Sequence, residues 1–140
     1  MKTYTASNLE ELTPLINDIH TSYKNGIVIL LQGTLGSGKT TLVQHFIRLT
    51  TNIKNVTSPT FSLMHEYTPQ HFHYDIYRIG SDDFIKRGLG ENFEQSGFHF
   101  VEWADEKIEK LLDIYGIAYI TISITINKDT RTYKVSHAHA

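Results

Sequence analysis

The chain has 140 residues, 40% of them hydrophobic, and a formal net charge of −2, which favours one domain over residues 1–140 with a single core. The balanced charge argues against a surface that binds nucleic acid unaided, and the absence of cysteine excludes disulfides and thiolate metal sites. No apolar run is as long as a membrane span, and residues 1–10 lack a signal-peptide pattern, so we expect a cytoplasmic protein.

The first predicted elements lead to a buried strand. Residues 4–6 are predicted as a short strand, and Ser7 or Thr5 as the cap of the following helix, which begins or bends near Pro14. The uniformly apolar run 27–31 then predicts a strand covered on both faces, as is typical of a parallel sheet.

A glycine-rich loop follows this strand directly. Residues 33–41 have the P-loop spacing G-x-x-x-x-G-K-[ST], and a helical pattern continues over residues 41–49. Glycines let successive backbone N–H groups turn toward phosphate oxygens, and the helix N-terminus adds positive potential there. Lys39 is placed to reach the β- and γ-phosphates, and Thr40 to offer its hydroxyl to Mg²⁺. The predicted nucleotide-binding residues of the loop are Gly33, Thr34, Leu35, Gly36, Ser37, Gly38, Lys39, Thr40 and Thr41.

A polar, irregular segment over residues 50–60 follows the P-loop helix and ends in T-S-P-T. The plainer interpretation is a loop that leads into a strand. The alternative is a switch loop whose threonine hydroxyl contacts the metal or the γ-phosphate, because switch segments occur at this place in the chain.

Two β-like runs, 61–67 and 72–78, are separated by a turn and predict a hairpin. Alternation places His73 and Asp75 on one face of the second run. Asp75 is a candidate for an acid near Mg²⁺, or for orienting the attacking water. His71, His73 and Asp75 could instead bind a transition metal, although they form an incomplete ligand set. The plainer interpretation of His73 is a surface position.

The second acidic candidate lies at the end of a predicted strand. Ser81 is predicted to cap a short helix, and residues 98–103 then form a buried strand ending in V-E-W. Acids at the carboxyl ends of strands in α/β sheets lie on the ligand side, so Glu102 is a better candidate than most of the 15 acids. Alternatively, Glu102 is the first acid of the next helix, 104–112, and Trp103 is a core or interface anchor.

The C-terminal third predicts antiparallel structure. Isoleucines alternate with Thr and Ser over residues 119–126, which indicates a half-exposed strand in an antiparallel edge portion of the sheet. A turn leads to a last strand, 132–135, and the tail from about residue 136 is predicted to be loose. The order of parts predicts a three-layer α/β P-loop NTPase fold with a mixed parallel and antiparallel sheet.

Two missing motifs favour ATP over GTP. The N-K-D run at residues 127–129 has the wrong spacing for a guanine-binding motif. The residues after Asp75 are I-Y-R, which lack the glycine of a second GTPase switch.

Four motifs together carry a specific resemblance. They are G-x-L-G-x-G-K-T-T at 33–41, T-S-P-T-F at 57–61, H-x-D-x-Y-R at 73–78 and V-E-W at 101–103. In this order and spacing the chain resembles, over about residues 5–126, the TsaE (YjeE) family of small bacterial P-loop ATPases of tRNA threonylcarbamoyladenosine synthesis.

The resemblance implies an Mg-dependent enzyme that hydrolyses ATP to ADP and phosphate. The family acts with TsaB and TsaD, which modify adenosine 37 of tRNAs that read ANN codons. Hydrolysis is expected to reset the TsaB–TsaD complex, so tRNA is reached only indirectly and no membrane is involved.

The matching positions imply roles for individual residues. Residues 33–41 hold the phosphates of ATP, and Thr40 and Glu102 bind Mg²⁺. Thr60 belongs to the switch-like loop, and Trp103 contacts the nucleotide or a partner.

The expected catalytic residues are Lys39, Glu102 and Asp75. Glu102 is the first choice for orienting the water and Asp75 the second. The alternatives are a small P-loop kinase acting on a nucleoside or metabolite, which would need a cluster of lid arginines, and a nucleotide-gated binding module with negligible catalysis.

Overall fold

The structure is a computed structural model that describes residues 2–57 and 63–137. Strands and helices alternate along most of the chain. The strands are β1 (Lys2–Ala6), β2 (Val28–Gln32), β3 (Met64–Thr68), β4 (His71–Asp75), β5 (Phe98–Glu102), β6 (Tyr119–Asn127) and β7 (Thr130–His137). The helices are α1 (Thr13–Ser22), α2 (Lys39–Thr50), α3 (Gly80–Lys86) and α4 (Glu106–Ile114), with short 3₁₀ helices at Glu10–Leu12 and Leu89–Glu94.

The seven described strands form one mixed sheet in the order β1-β7-β6-β2-β5-β4-β3. The four central strands, β6, β2, β5 and β4, are parallel, whereas β7, β1 and β3 join antiparallel to their neighbours. The predicted mixed sheet is therefore confirmed. The alternating strand β6 lies at the junction, parallel to β2 and antiparallel to β7, and the antiparallel portion extends outward from it.

Helices cover both faces of the sheet, which confirms the three-layer architecture. On one face, α1 and α2 pack against Ile29 and Leu31 of β2. On the other face, α3 and α4 pack against Val28 and Leu30 of the same strand. Successive side chains of a strand point to opposite faces, so a strand covered by helices on both sides is apolar at every position. None of the helices in the described part of the chain is long and apolar enough to cross a membrane.

The start of α1 differs from its prediction in the capping residue. The helix begins at Thr13 with Pro14 in its first turn, where the missing N–H has no intrahelical partner to lose. The predicted caps are wrong, because the 3₁₀ turn before α1 is held by a reciprocal pair. The Glu11 N–H donates to Asn8 Oδ1 at 3.1 Å, and the Ser7 N–H donates to Glu11 Oε1 at 2.6 Å.

Two further predictions of boundaries are corrected. Ser81 lies inside α3, whose preceding residue Ile79 makes no side-chain cap, so Ser81 is not the cap. Ser136 and His137 belong to β7, where His137 pairs with Ile120 and its Nδ1 lies 2.9 Å from the Tyr23 hydroxyl. A loose tail from residue 136 is therefore wrong for these two residues, and residues 138–140 lie outside the described part.

Gly26 lies where the loop before β2 crosses the turn before β5, and its backbone has φ +82°. A Cβ there would lie 2.0 Å from the carbonyl carbon of Gly97. We expect Gly26→Ala to lower the free energy of unfolding by about 3 kcal/mol or more, because backbone strain and a backbone clash add. Gly116→Ala is the matched control, with φ +66° but nothing within 4 Å of its Cβ. Gly116→Ala should lower the free energy of unfolding by only ~1–2 kcal/mol. If urea unfolding shows equal losses in the two variants, the predicted clash at Gly26 is contradicted.

Candidate nucleotide site

The loop between β2 and α2 adopts backbone conformations that favour glycine. Gly36 has φ +79° and Gly38, directly before α2, has φ +108°. The Ser37 N–H donates to the Thr34 carbonyl at 3.0 Å and closes a turn. A Cβ on Gly36 would meet nothing within 4 Å, so the loop leaves open space in front of the helix N-terminus. Such a loop is suited to binding phosphate.

Lys39 begins α2 and folds back over the loop. Its side chain is buried, with 5% exposure, and Nζ donates to the carbonyl oxygens of Gly33 at 2.8 Å and Thr34 at 3.1 Å. Nζ also lies 4.0 Å from the centroid of the Trp103 ring. Burial lowers the pKa of Lys39, while the charges of Glu102 and Asp75 act against this shift. No carboxylate of the described residues lies within ion-pair distance of Nζ, so the ammonium group is available to an anionic ligand.

Glu102 lies at the carboxyl end of β5 beside the N-terminus of α2. The Thr40 hydroxyl donates to its Oε2 at 2.8 Å and lies 3.1 Å from Oε1. Only 4% of Glu102 is exposed, and its Oε2 lies 2.5 Å from Nε2 of His73. The alternative that Glu102 starts the next helix is wrong, since α4 begins at Glu106, four residues later.

Asp75 lies next to Glu102 at the same edge of the sheet. The two acids are direct neighbours in the parallel pairing of β4 and β5. Asp75 is half-buried, and its Oδ1 accepts a hydrogen bond from the Tyr77 N–H at 3.1 Å. The predicted position of Glu102 at the carboxyl end of a strand is therefore confirmed. Asp75 was predicted inside the run 72–78, but β4 ends at Asp75, so this acid also lies at a strand end, where the ends of parallel strands meet at one edge.

Trp103 follows β5 in a left-handed conformation, with φ +67°. Such a conformation is strained in a residue other than glycine, and strained residues cluster at functional sites. Its ring contacts the Lys39 ammonium on one side and lies 4.8 Å, centroid to centroid, from the exposed Tyr77. Trp103 is thus a wall of the site, and it is also partly buried against the core under α3 and α4, so the two interpretations of this residue both hold.

These groups surround one pocket of about 420 Å³. The predicted residues that line it are Leu35, Gly36, Gly38, Lys39, Thr40, Thr41, Asp75, Glu102 and Trp103. Gly33 and Thr34 contribute through the carbonyls that hold Lys39. Ser37 is fully buried, and its hydroxyl has no described partner. The Thr60 prediction lies outside the described residues, as do residues 58 and 59 of the predicted switch segment.

Sequence reasoning missed one side of this pocket. It is formed by the loop after β1 and by β7, two parts of the chain that carry no recognisable motif. They meet the P-loop because β7 joins the sheet beside β6, and β1 joins beside β7. The missed residues are Ala6, Ser7, Asn8, Leu9, Leu12, Arg131 and Tyr133.

Predictions about the histidines of β4 also need correction. His73 is fully buried, so its interpretation as a surface residue is wrong. His71 makes its contact elsewhere, with Nδ1 at 2.7 Å from the Thr68 hydroxyl. Over residues 2–57 and 63–137, no group of three or more His, Asp or Glu side chains could hold a metal ion, so a transition-metal site is not supported.

The fold and this loop define an α/β protein of the P-loop class. The sequence model of the family described as "Threonylcarbamoyl adenosine biosynthesis protein TsaE" matches residues 6–134. The chain belongs to this TsaE family, whose members are named as tRNA threonylcarbamoyladenosine biosynthesis proteins.

Individual relatives agree with the family assignment. Over 130 residues the chain is 28% identical to the tRNA threonylcarbamoyladenosine biosynthesis protein TsaE of Haemophilus influenzae, covering 90% of this chain and 78% of that protein. It is 36% identical over 111 residues to the protein of the same name from Aquifex aeolicus, covering 75% and 77%. The Bacillus subtilis protein of that name is 39% identical over 84 residues, and the match covers 52% of that protein's length.

A solved structure supports the fold. The crystal structure of YdiB from Bacillus subtilis superposes with a TM-score of 0.72 at 28% sequence identity. The match covers 99% of this chain and 86% of that one.

Proposed function

We propose that this chain is an Mg-dependent ATPase that supports tRNA threonylcarbamoyladenosine synthesis together with TsaB and TsaD. The observation that carries the proposal is the convergence of Lys39, Thr40 and Glu102 at the N-terminus of α2, inside one pocket. Charge neutralisation and positioning, which these groups offer, are what phosphoryl transfer requires of a protein.

The pocket has the size and polarity for a nucleotide. Its volume of about 420 Å³ falls in the range of small-molecule sites, roughly 300–1,000 Å³. The phosphates would lie against the loop amides, where Lys39 has no carboxylate partner among the described residues. The nucleoside would extend toward Asn8 and Leu9, whereas Nε of Arg131 lies beside the loop, 3.5 Å from the position of a Cβ on Gly38.

The donor set fits Mg²⁺. Mg²⁺ prefers oxygen ligands, and in nucleotide sites it is bound by one or two carboxylates together with phosphates and waters. The Thr40 hydroxyl and the Glu102 carboxylate are two such oxygen groups in direct contact. When bound there, Mg²⁺ would neutralise part of the phosphate charge.

Hydrolysis also needs a group that orients the attacking water. The water oxygen bonds to the γ-phosphorus, the bond from that phosphorus to the β,γ-bridging oxygen breaks, ADP leaves with that electron pair, and the proton of the water passes to solvent. Glu102 is our first candidate for orienting this water and Asp75 the second, since both carboxylates line the pocket. Lys39 would stabilise the charge on the phosphate oxygens. ATP and tRNA occur in the cytoplasm, which we propose as the compartment.

The decisive experiment measures ATP hydrolysis by the chain alone and with TsaB and TsaD. We expect the rate to rise when both partners are added, because the proposed role is to reset their complex. An unchanged rate would favour a nucleotide-gated binding module. Phosphate transfer to an acceptor other than water would instead indicate the small P-loop kinase.

A further inference from the structure

A continuous chain of hydrogen bonds leads from Glu102 away from the pocket. Nε2 of His73 lies 2.5 Å from Glu102 Oε2, and Nδ1 of the same ring lies 2.9 Å from the Tyr67 hydroxyl. The Tyr67 hydroxyl in turn donates to the backbone carbonyl of Thr57. The chain thus joins β5, β4, β3 and the segment that follows α2.

Both ring nitrogens of His73 are engaged, and the ring is fully buried, at 0% exposure. A histidine held at both nitrogens has a fixed ring orientation, as do the outer partners of metal-binding and catalytic side chains. Two side chains contact the same carboxylate oxygen of Glu102, Oε2: the Thr40 hydroxyl at 2.8 Å and Nε2 of His73 at 2.5 Å. The Thr40 hydroxyl is also a proposed Mg²⁺ ligand. Of these two partners of Glu102, His73 is the one with no proposed contact to the metal.

We propose that His73, oriented by Tyr67, is a positioning residue that fixes the carboxylate of Glu102 for Mg²⁺ binding and water orientation. The inference rests on the proposed function, since Glu102 needs a fixed orientation only if it serves the nucleotide site. Burial and the charge of Glu102 raise the pKa of Tyr67 to about 12, so its hydroxyl keeps its proton and can donate to Thr57.

The chain offers a matched control for Tyr67. The Tyr74 hydroxyl lies 2.7 Å from Nδ1 of His99 in a second tyrosine–histidine pair, which is fully buried on the opposite face of the sheet, whereas Tyr67 is partly buried. Tyr67→Phe and Tyr74→Phe therefore both remove a hydroxyl from a histidine Nδ1, one in contact with Glu102 through His73 and one confined to the core. A merely structural role would give both variants the same phenotype.

We expect Tyr67→Phe and His73→Phe to lower kcat by about 10- to 100-fold, the effect typical of outer partners, with little change in KM. His73→Gln keeps an N–H donor for Glu102 and should restore part of kcat. Tyr74→Phe should lower thermal stability and leave kcat unchanged. Wild-type kcat in both Tyr67→Phe and His73→Phe, with an active wild-type enzyme, would overturn the inference and leave the ATPase proposal standing.

A binding measurement tests the same idea without turnover. Mg²⁺ is titrated into the protein in the presence of ADP. We expect the apparent dissociation constant of Mg²⁺ to be about tenfold larger in Tyr67→Phe than in the wild type. The same substitution in a Glu102→Gln background should add no further loss, because its effect passes through Glu102. Equal, additive losses in both backgrounds would overturn the inference.

If the wild-type protein neither hydrolyses nor binds ATP, the proposed function fails, and crystal structures decide the inference. A Glu102 carboxylate displaced from Thr40 in His73→Phe would support positioning by His73. A carboxylate that keeps its contact with the Thr40 hydroxyl in that variant would overturn it.

Discussion

Lys39→Ala is expected to abolish ATP hydrolysis, with a loss of at least ~10²-fold, the scale for removing one preorganised charge-stabilising group. In the structure, the ammonium group is buried at the loop, held by two carbonyls and the Trp103 ring. Those contacts are to neutral groups, so the ammonium group can bind a phosphate without first breaking an ion pair. The measurement is phosphate release with TsaB and TsaD present, together with ATP affinity by calorimetry.

The control for Lys39→Ala is an alanine substitution of an exposed lysine far from the pocket. Lys110 on α4 meets this condition, and Lys110→Ala should retain wild-type turnover. Circular dichroism should show that both variants are folded. Lys39→Ala loses the hydrogen bonds of the ammonium group, but it also removes the free-energy cost of burying that charge. Retained turnover in Lys39→Ala would contradict the P-loop interpretation of residues 33–41.

Local patterns were sufficient to predict the central part of the fold and site. The run 27–31 is apolar at every position because helices cover both faces of β2, and this burial can be read from composition alone. The glycine loop and its helix follow from motif spacing. Glu102 was predicted at a strand end and Asp75 inside a strand, and the parallel pairing of β4 and β5, which ends at both acids, makes them neighbours.

Pairing between distant parts of the chain could not be predicted from local patterns. Asn8 and Arg131 reach the pocket only because β1 and β7, from opposite ends of the chain, pair with each other and with β6. Alternation placed His73 on the same face as Asp75, but it did not show that α2 covers that face. Period-two patterns assign residues to faces, and only the tertiary fold decides which face is buried.

Glu102→Gln is expected to lower kcat by ~10²-fold or more, the scale for losing a general base or water-orienting group. Its effect on ATP affinity should be much smaller. Glutamine has the same size and keeps an oxygen that can accept from the Thr40 hydroxyl, so the contact with α2 survives. What is lost is the negative charge that would hold the water. The measurements are kcat and the dissociation constant of ATP, each at saturating Mg²⁺.

Two comparisons make the Glu102→Gln result specific. Glu106→Gln, an exposed acid at the start of α4, should leave both quantities unchanged. Asp75→Asn tests the second candidate, and a larger loss of kcat there than in Glu102→Gln would transfer the water-orienting role to Asp75. Equal loss of hydrolysis and of Mg-dependent ATP binding in Glu102→Gln would assign Glu102 to the metal alone. The buried contacts of Glu102 with Thr40 and His73 favour a loss of kcat in Glu102→Gln that exceeds the loss of ATP affinity, since they hold one carboxylate oxygen in a fixed place beside the loop.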